Sequence, residues 1–390
     1  MNHPLYLGQF RRVRPTFEKS QEDAIDWLAS AHVAAEMAQN DREGGRDWSV
    51  ETVKKLIARF GCAPDKIATR GHELADFSHK NWDEMRIFRL NDKAGGLDMA
   101  ARQATFDELV RNKCDMLFDS GERLEQDLIH VTCTGYLSPS PLQRYVAEGG
   151  HASETRVLHA YHMGCYASLP ASRMAAALAS YAASAGKALD RAAVDVVHTE
   201  LCTLHFNPQD HSPEQLVVQS LFADGFIRYK VSAQPVGTSG CFKILSMDEI
   251  QVPQSAAAMT WMPVSWGMSM TLAREVPQLI ATSLKGFVSE LLARAGFSEA
   301  EALPGLVYAV HPGGPKIIDH VQALLEIPED KVKASRNVLR QFGNMSSATL
   351  PHVWQSMIED AATYPHGTRV LSLAFGPGLT IAGGLFEITR

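Results

Sequence analysis

Cysteine is scarce in this chain. Six residues in 390, Cys62, Cys114, Cys133, Cys165, Cys202 and Cys241, are too few for a disulfide scaffold, and no two form a C-x-x-C pair. A reducing, cytoplasmic setting fits that usage. Long apolar runs are missing as well. No uncharged stretch approaches the ~18 residues that a membrane helix needs. The opening MNHPLYLGQFRRVRPTF has no apolar core of signal-peptide length and no small-residue cleavage site. The expectation is a soluble protein with no membrane span. An excess of positive charge is also lacking, with a net charge of −7 and a pI near 6.1. That argues against nucleic acid as the main partner, because phosphate binding needs a basic field. It leaves room for a local basic funnel serving a phosphorylated cofactor. Metal-binding patterns are thin. Cys202 and His205 have C-x2-H spacing, but on a strand residues three apart face opposite sides. With no second pair, no metal site is expected.

The remaining composition is ordinary for a globular protein: 45% hydrophobic and 21% charged. Residues 17–40 read as a helix, with Ala24, Trp27, Leu28, Ala31 and Ala34 at helical spacing. Residues 50–61 and 96–119 read the same way. The run at 128–134 suits a buried strand. Residues 169–186 form an Ala-rich helix with Pro170 in its first turn and Gly186 near its end. Strands are expected at 193–206 and 225–232. Beyond a Gly/Pro-rich break at 233–266, helices are expected at 273–296, 315–325 and from about 346. Strands are expected at 306–310, 368–375 and 379–389. Strands alternating with helices imply an α/β fold with buried sheets. The division into two similar halves falls at residues 1–238 and 239–390.

Three positions carry chemistry. Cys165, in HMGCYAS, lies just ahead of the Ala-rich helix, where the positive end of the helix dipole favours a thiolate. Gly164 permits the tight turn that would present it. Read alone, Cys165 is equally a buried structural thiol. His311 follows the strand LVYAV and precedes PGGP, a strand-end position where α/β proteins place ligands. Gly313 and Gly314 would let a ligand approach their N–H groups. The same segment also reads as a plain strand–turn–helix joint. Asn344, in GNMSS before another helix, could be no more than an N-cap. Together the three are more specific. A thiolate with a His is a nucleophile–base pair, and an Asn amide with a His N–H can hold an oxyanion. His159 and His162 near Cys165 read as structural or solvent-facing.

The segments HMGCYASLPASRMAAALA, SLFADG, YAVHPGGPKIID, RQFGNMSSATL and LAFGPGLTI, in that order, resemble the type III polyketide synthases, the chalcone and stilbene synthase family. The likeness runs from about residue 50 to the C-terminus and is dense after residue 120. It implies a thiolase fold, two αβαβα halves forming a five-layered core, in a homodimer. It also implies Cys165 as acyl-accepting nucleophile with His311 and Asn344 in support. The gatekeeping Phe falls on Phe222, and Phe375 and Gly376 lie on a cavity-shaping loop. Cys133 and Ser346 join the expected cavity set. The resemblance further implies a starter thioester loaded on Cys165. Decarboxylative Claisen condensation with malonyl-CoA would then extend it to a pyrone, resorcinol or phloroglucinol. No permanently bound cofactor is implied, only CoA thioesters as substrates.

Several positions depart from the plant enzymes and fit a bacterial-type member. Met270 stands at a second gate that is normally Phe. Ser138 stands where a residue, usually Met, reaches across the dimer. His205 replaces a small Thr on the pocket wall, as a polar, bulkier side chain entering the cavity. Arg59 and Lys66 are the candidate partners of the CoA phosphates, with Gly313, Gly314 and Lys316 along the pantetheine arm. The altered cavity keeps a second reading open: a stand-alone ketosynthase joining two acyl chains once, with an acyl carrier protein as a possible partner.

Overall fold

The computed structural model describes residues 3–39, 48–118, 122–151 and 153–390. In chain order the elements are β1 (Tyr6–Val13), β2 (Phe17–Ser20), α1 (Gln21–Ala38), α2 (Val50–Phe60), β3 (Thr69–His72), α3 (Met99–Leu117), β4 (Asp127–Thr132) and α4 (Pro141–Glu148). They continue with β5 (Arg156–Tyr161), α5 (Ser168–Ser184), β6 (Ala193–Leu201), α6 (Pro213–Leu221), β7 (Asp224–Ser232), β8 (Cys241–Gln251), β9 (Met259–Val264) and β10 (Gly267–Leu272). The last are α7 (Val276–Arg294), α8 (Glu299–Ala302), β11 (Val307–Val310), α9 (Pro315–Leu324), α10 (Lys333–Phe342), α11 (Thr349–Glu359), β12 (Arg369–Gly376) and β13 (Thr380–Thr389).

A nine-stranded sheet runs in the order β11-β12-β13-β8-β1-β7-β6-β4-β5. β4 lies parallel to β5 and β6, and β11 parallel to β12. The two sides of the sheet meet at β1, which pairs along β7 but touches β8 only over Tyr6–Gly8. β6 and β7 are buried at every residue, as expected of strands covered on both faces.

Three hydrophobic clusters define the layers. One is central and holds the inner faces of α5 and α11 against strands from both ends of the sheet. The second packs α1, α2 and α3 on the outer face of β4, β6 and β7. The third packs α7, α9 and α10 on β11, β12 and β13. Helix, sheet, helix, sheet and helix thus follow one another, with α5 and α11 innermost. Both central helices can be buried because their sequences are apolar or small nearly all round: Ala171, Ala175 and Ala179 in α5, and Val353, Trp354 and Met357 in α11.

Local chemistry sets the element ends. The predicted helix at 17–40 is a short strand followed by α1, because the Ser20 hydroxyl accepts from Asp23 N–H and so starts the helix there. Residue 40, and residue 119 at the end of another expected helix, lie outside the described residues. The expected strand 193–206 stops at Leu201, and Cys202–His205 turns as a 3-10 helix. The break at 233–266 contains β8 and β9. The half-buried faces of β8 carry mixed polar and apolar residues, so no clean alternation marks it as a strand.

Candidate active site

The N-termini of the two central helices converge on one place. Cys165 lies three residues ahead of α5, and Asn344 lies just ahead of the 3-10 turn that leads into α11. Cys165 is half-buried, and its Sγ lies 3.9 Å from Ser346 Oγ. The turn that presents it is locked. Gly164 has φ of +83°, and a Cβ there would sit 2.4 Å from Pro377 Cδ. Only glycine meets both conditions. Gly164 N–H also donates to Cys133 Sγ at 3.0 Å, which ties the Cys165 turn to the end of β4.

Asn344 is fixed by its own amide. Its Oδ1 accepts from Ser346 N–H at 2.9 Å and from Thr349 Oγ1 at 3.3 Å. Its Nδ2 makes a long contact, 3.4 Å, to Gly313 O, and the Asn344 side chain also hydrogen-bonds the Cys165 thiol. A capping role and an oxyanion role would therefore fall on different atoms of one side chain. The oxygen stabilises the helix start, and the N–H2 remains for a ligand. Gly313 neighbours His311, whose Nε2 lies 3.7 Å from the position a Gly313 Cβ would take. His311 is 1% exposed, and neither of its ring nitrogens has a hydrogen-bond partner among the described residues. Such a group marks a place completed by a ligand or by a proton transfer.

Burial pushes the Cys165 thiol up to about 12, against the lowering effect of its Ser346 and Asn344 hydrogen bonds. Burial also pulls His311 down to about 3. Each group taken singly is neutral. A transfer of the thiol proton to the imidazole would need the attraction between the two resulting charges to offset the desolvation that disfavours either one alone.

A single cavity of about 1040 Å³, counting its open mouth, contains Cys165. Of the expected cavity residues, Cys133, His205, Phe222, Met270 and Ser346 line it. Ser138 does not and is exposed. Phe375 does not either; it packs into the third cluster, and its neighbour Gly376 is pressed against Tyr166, where a Cβ would lie 2.1 Å from Cδ1. Pro377 is the residue of that loop that reaches the cavity. Arg59, Lys66 and Lys316 are exposed and lie outside the cavity lining, and the half-buried Gly313 and the buried Gly314 lie outside it too. Arg59 lies over the Phe60 ring, and Lys66 pairs with Asp65 at 3.1 Å.

Two expectations are corrected by the turn after β6. In a 3-10 helix residues three apart eclipse one another, so Cys202 and His205 both line the cavity instead of facing opposite ways. His205 is not a free polar group there. Its Nε2 donates to Thr134 O at 2.8 Å, and its Nδ1 accepts from Met268 N–H at 3.1 Å. The ring works as a strut between the end of β4 and β10.

Sequence reasoning missed Glu200. Its buried carboxylate accepts from Cys133 N–H at 3.1 and 3.0 Å, from Thr134 Oγ1 at 2.8 Å, and from the Ser347 hydroxyl. It thereby joins the loop after β4 to the start of α11. Burial raises its pKa against these donors. The available signal was an acid near the end of the largely apolar run AVDVVHTEL, which also holds Asp195. Trp261 was missed too. Its Nε1 donates to Cys133 O at 2.6 Å and closes one wall with the β9–β10 hairpin.

Residues 244–388 match the family described as chalcone and stilbene synthases, C-terminal domain. Probable polyketide synthase 1 of Dictyostelium discoideum is 30% identical over 259 residues, covering 66% of this chain and 8% of that protein. Type III polyketide synthase C of Arabidopsis thaliana is 30% identical over 266 residues, covering 67% of this chain and 66% of that protein. The chain therefore spans less than two thirds of either relative's own length. In structure, PKS-I from the brown alga Ectocarpus siliculosus superposes with a TM-score of 0.82 over 100% of this chain and 99% of that one, at 19% identity. This likeness concerns the fold alone. With its thiolase-type layering and these matches, the chain carries the C-terminal domain of the chalcone and stilbene synthases at residues 244–388 and is similar to type III polyketide synthases.

Proposed function

We propose that this chain is a condensing acyltransferase that loads an acyl starter on Cys165 and extends it with malonyl-CoA. The observation that carries this reading is the oriented Asn344 amide beside a buried His311 with two unpaired ring nitrogens. The Cys165 thiolate, its proton held by His311, attacks the starter thioester, and CoA departs as the thiol. Malonyl-CoA then loses CO₂, and the electron pair of the broken C–C bond becomes the thioester enolate. Asn344 Nδ2–H and a His311 N–H stabilise the enolate oxygen. The enolate carbon attacks the Cys165 thioester. A β-ketoacyl-CoA forms, and the thiolate is regenerated. Decarboxylation supplies the carbanion, so no strong base is needed.

CoA would enter past Phe222, with its phosphates near Arg59, Lys66 and Lys316. Cys62 and Ile67, which flank Lys66, pack in the same cluster as Leu221 and Ile318, which supports a shared mouth. Gly313 and Gly314 would line the pantetheine arm. A homodimer would cover β5, which ends the sheet with Leu158 40% exposed, and would bring Ser138 to the partner. Products would be of pyrone, resorcinol or phloroglucinol type, and the setting cytoplasmic. The test is intact-mass analysis after incubation with acyl-CoA, together with CO₂ release from malonyl-CoA. A persisting adduct in Cys165→Ala, or undiminished CO₂ release in Asn344→Ala, overturns the assignment.

A further inference from the structure

The cavity does not end at the gate. From Cys165 it continues past Cys202 and Thr203 beneath α1, where Ala24, Leu28, Phe77 and Phe206 line it. Ala24 and Leu28 are four residues apart, so they present one face of α1 to this branch. The walls are apolar, as a hydrocarbon or aryl tail requires. Its polar lining includes Arg70, Gln215 and Gln219, whose side chains already hydrogen-bond within the fold, together with Lys19 on β2 and His72 on β3.

His72 is 4% exposed. Its Nδ1 lies 3.1 Å from Leu74 O. A carbonyl can only accept, so Nδ1 carries the proton. Nε2 is then a lone-pair acceptor, and it has no partner. Burial pulls the ring's pKa down to about 4, so this tautomer is the form present at neutral pH. Stacking on Phe17, with centroids 5.5 Å apart, fixes the ring plane. Lys19 is half-buried, its charge acts on His72, and it makes no ion pair or side-chain hydrogen bond among the described residues. One acceptor and one donor at the edge of an apolar branch suit a group that both donates and accepts. A hydroxyl does so. A carboxylate would suit Lys19 but face the His72 lone pair, and a methyl end would leave both unpaired.

We propose that the branch beneath α1 takes the tail of the starter, and that a hydroxyl on that tail donates to His72 Nε2 and accepts from Lys19 Nζ. This rests on the condensing function proposed above and names its substrate class, a hydroxylated acyl thioester. A site built to hydrogen-bond a substrate hydroxyl discriminates strongly against the analogue that lacks it.

The experiment compares acyl-CoA starters of six to twelve carbons with their ω-hydroxy counterparts, each with malonyl-CoA. It reads kcat/KM from CO₂ release and loading of Cys165 by intact mass. At one or more chain lengths the hydroxylated starter should be preferred tenfold or more. His72→Phe should bring that ratio close to one, and Lys19→Met should lower it. Ala24→Trp should depress kcat/KM for long starters at least tenfold relative to acetyl-CoA. Preference for the parent acyl-CoA at every length overturns the proposal. So does a ratio unmoved in both His72→Phe and Lys19→Met. If His72→Phe fails to fold, Lys19→Met decides by the same ratio. Absence of Cys165 loading and CO₂ release with every starter instead overturns the condensing function itself, so the two failures are distinguishable.

Discussion

Phe222 and Asn344 pair through their backbones in an isolated parallel bridge. Asn344 N–H donates to Leu221 O at 3.0 Å, and Ala223 N–H donates to Asn344 O at 2.8 Å. Arg70 braces the same strand end, with its buried guanidinium donating to the carbonyls of Gln219 and Phe222. The proposed gate residue Phe222 and the candidate oxyanion amide are thus held together by main-chain bonds.

Phe222→Leu should therefore fold nearly as well as the wild type. The bridge is kept, and apolar swaps of similar volume cost less than ~1.5 kcal/mol. Its effect should appear in the ratio of kcat/KM between bulky and small starters. Thermal unfolding and a starter panel check both. A large loss of stability with an unchanged ratio would contradict the gate assignment.

Gly164→Ala should lose more than ~1 kcal/mol, because the position combines positive φ with a contact no Cβ can make. The relief of that clash must move either Pro377 or the Cys165 turn. Loading of Cys165 should fall along with stability. Denaturant unfolding and acylation rates measured on the same sample test this.

Alkylation by iodoacetamide reads the state of Cys165. Where His311 holds the proton, the wild-type rate should be nearly independent of pH between about 6 and 9. In His311→Ala the thiol is left alone in a site that pushes it up to about 12. Its rate should then rise about tenfold per pH unit over that range. A wild-type rate with the same steep slope would remove the ion pair from the mechanism.

Acid should destabilise the fold. Burial pulls His130, His198 and His205 down to about 3, and His32 and His352 to about 4, from an ordinary value near 6.5. The unfolded chain binds these protons first, so stability is complete above about 6.5 and is lost as pH falls toward 4. Asp224 works the other way, since burial raises it to about 7 against its three hydrogen bonds. The histidines outnumber it, and Tm should rise from pH 4.5 to pH 7. A flat profile would contradict the prediction.

Glu200→Leu should strand Cys133 N–H and the Ser347 hydroxyl, at about 1–3 kcal/mol for each buried donor. Glu200→Gln should cost less, since its carbonyl still accepts. A Leu variant as stable as the Gln variant would show that the carboxylate is not what ties these loops together.

The sequence by itself determined the periodic elements and the cysteine, histidine and asparagine that carry the resemblance. Local signals suffice there: apolar period, a glycine before a thiol, a His after a strand. Tertiary structure decided the rest. β8 was hidden because its residues are half-buried on both faces, and the turn after β6 because 3-10 and strand geometries share the same apolar letters. Glu200 could not be placed in the sequence, because its donors come from Cys133 and Ser347, 67 and 147 residues away. The cavity is likewise a product of packing. Its walls come from α1, the 3-10 turn after β6, α6 and the β9–β10 hairpin together, and no single segment shows which of its residues will face a shared space.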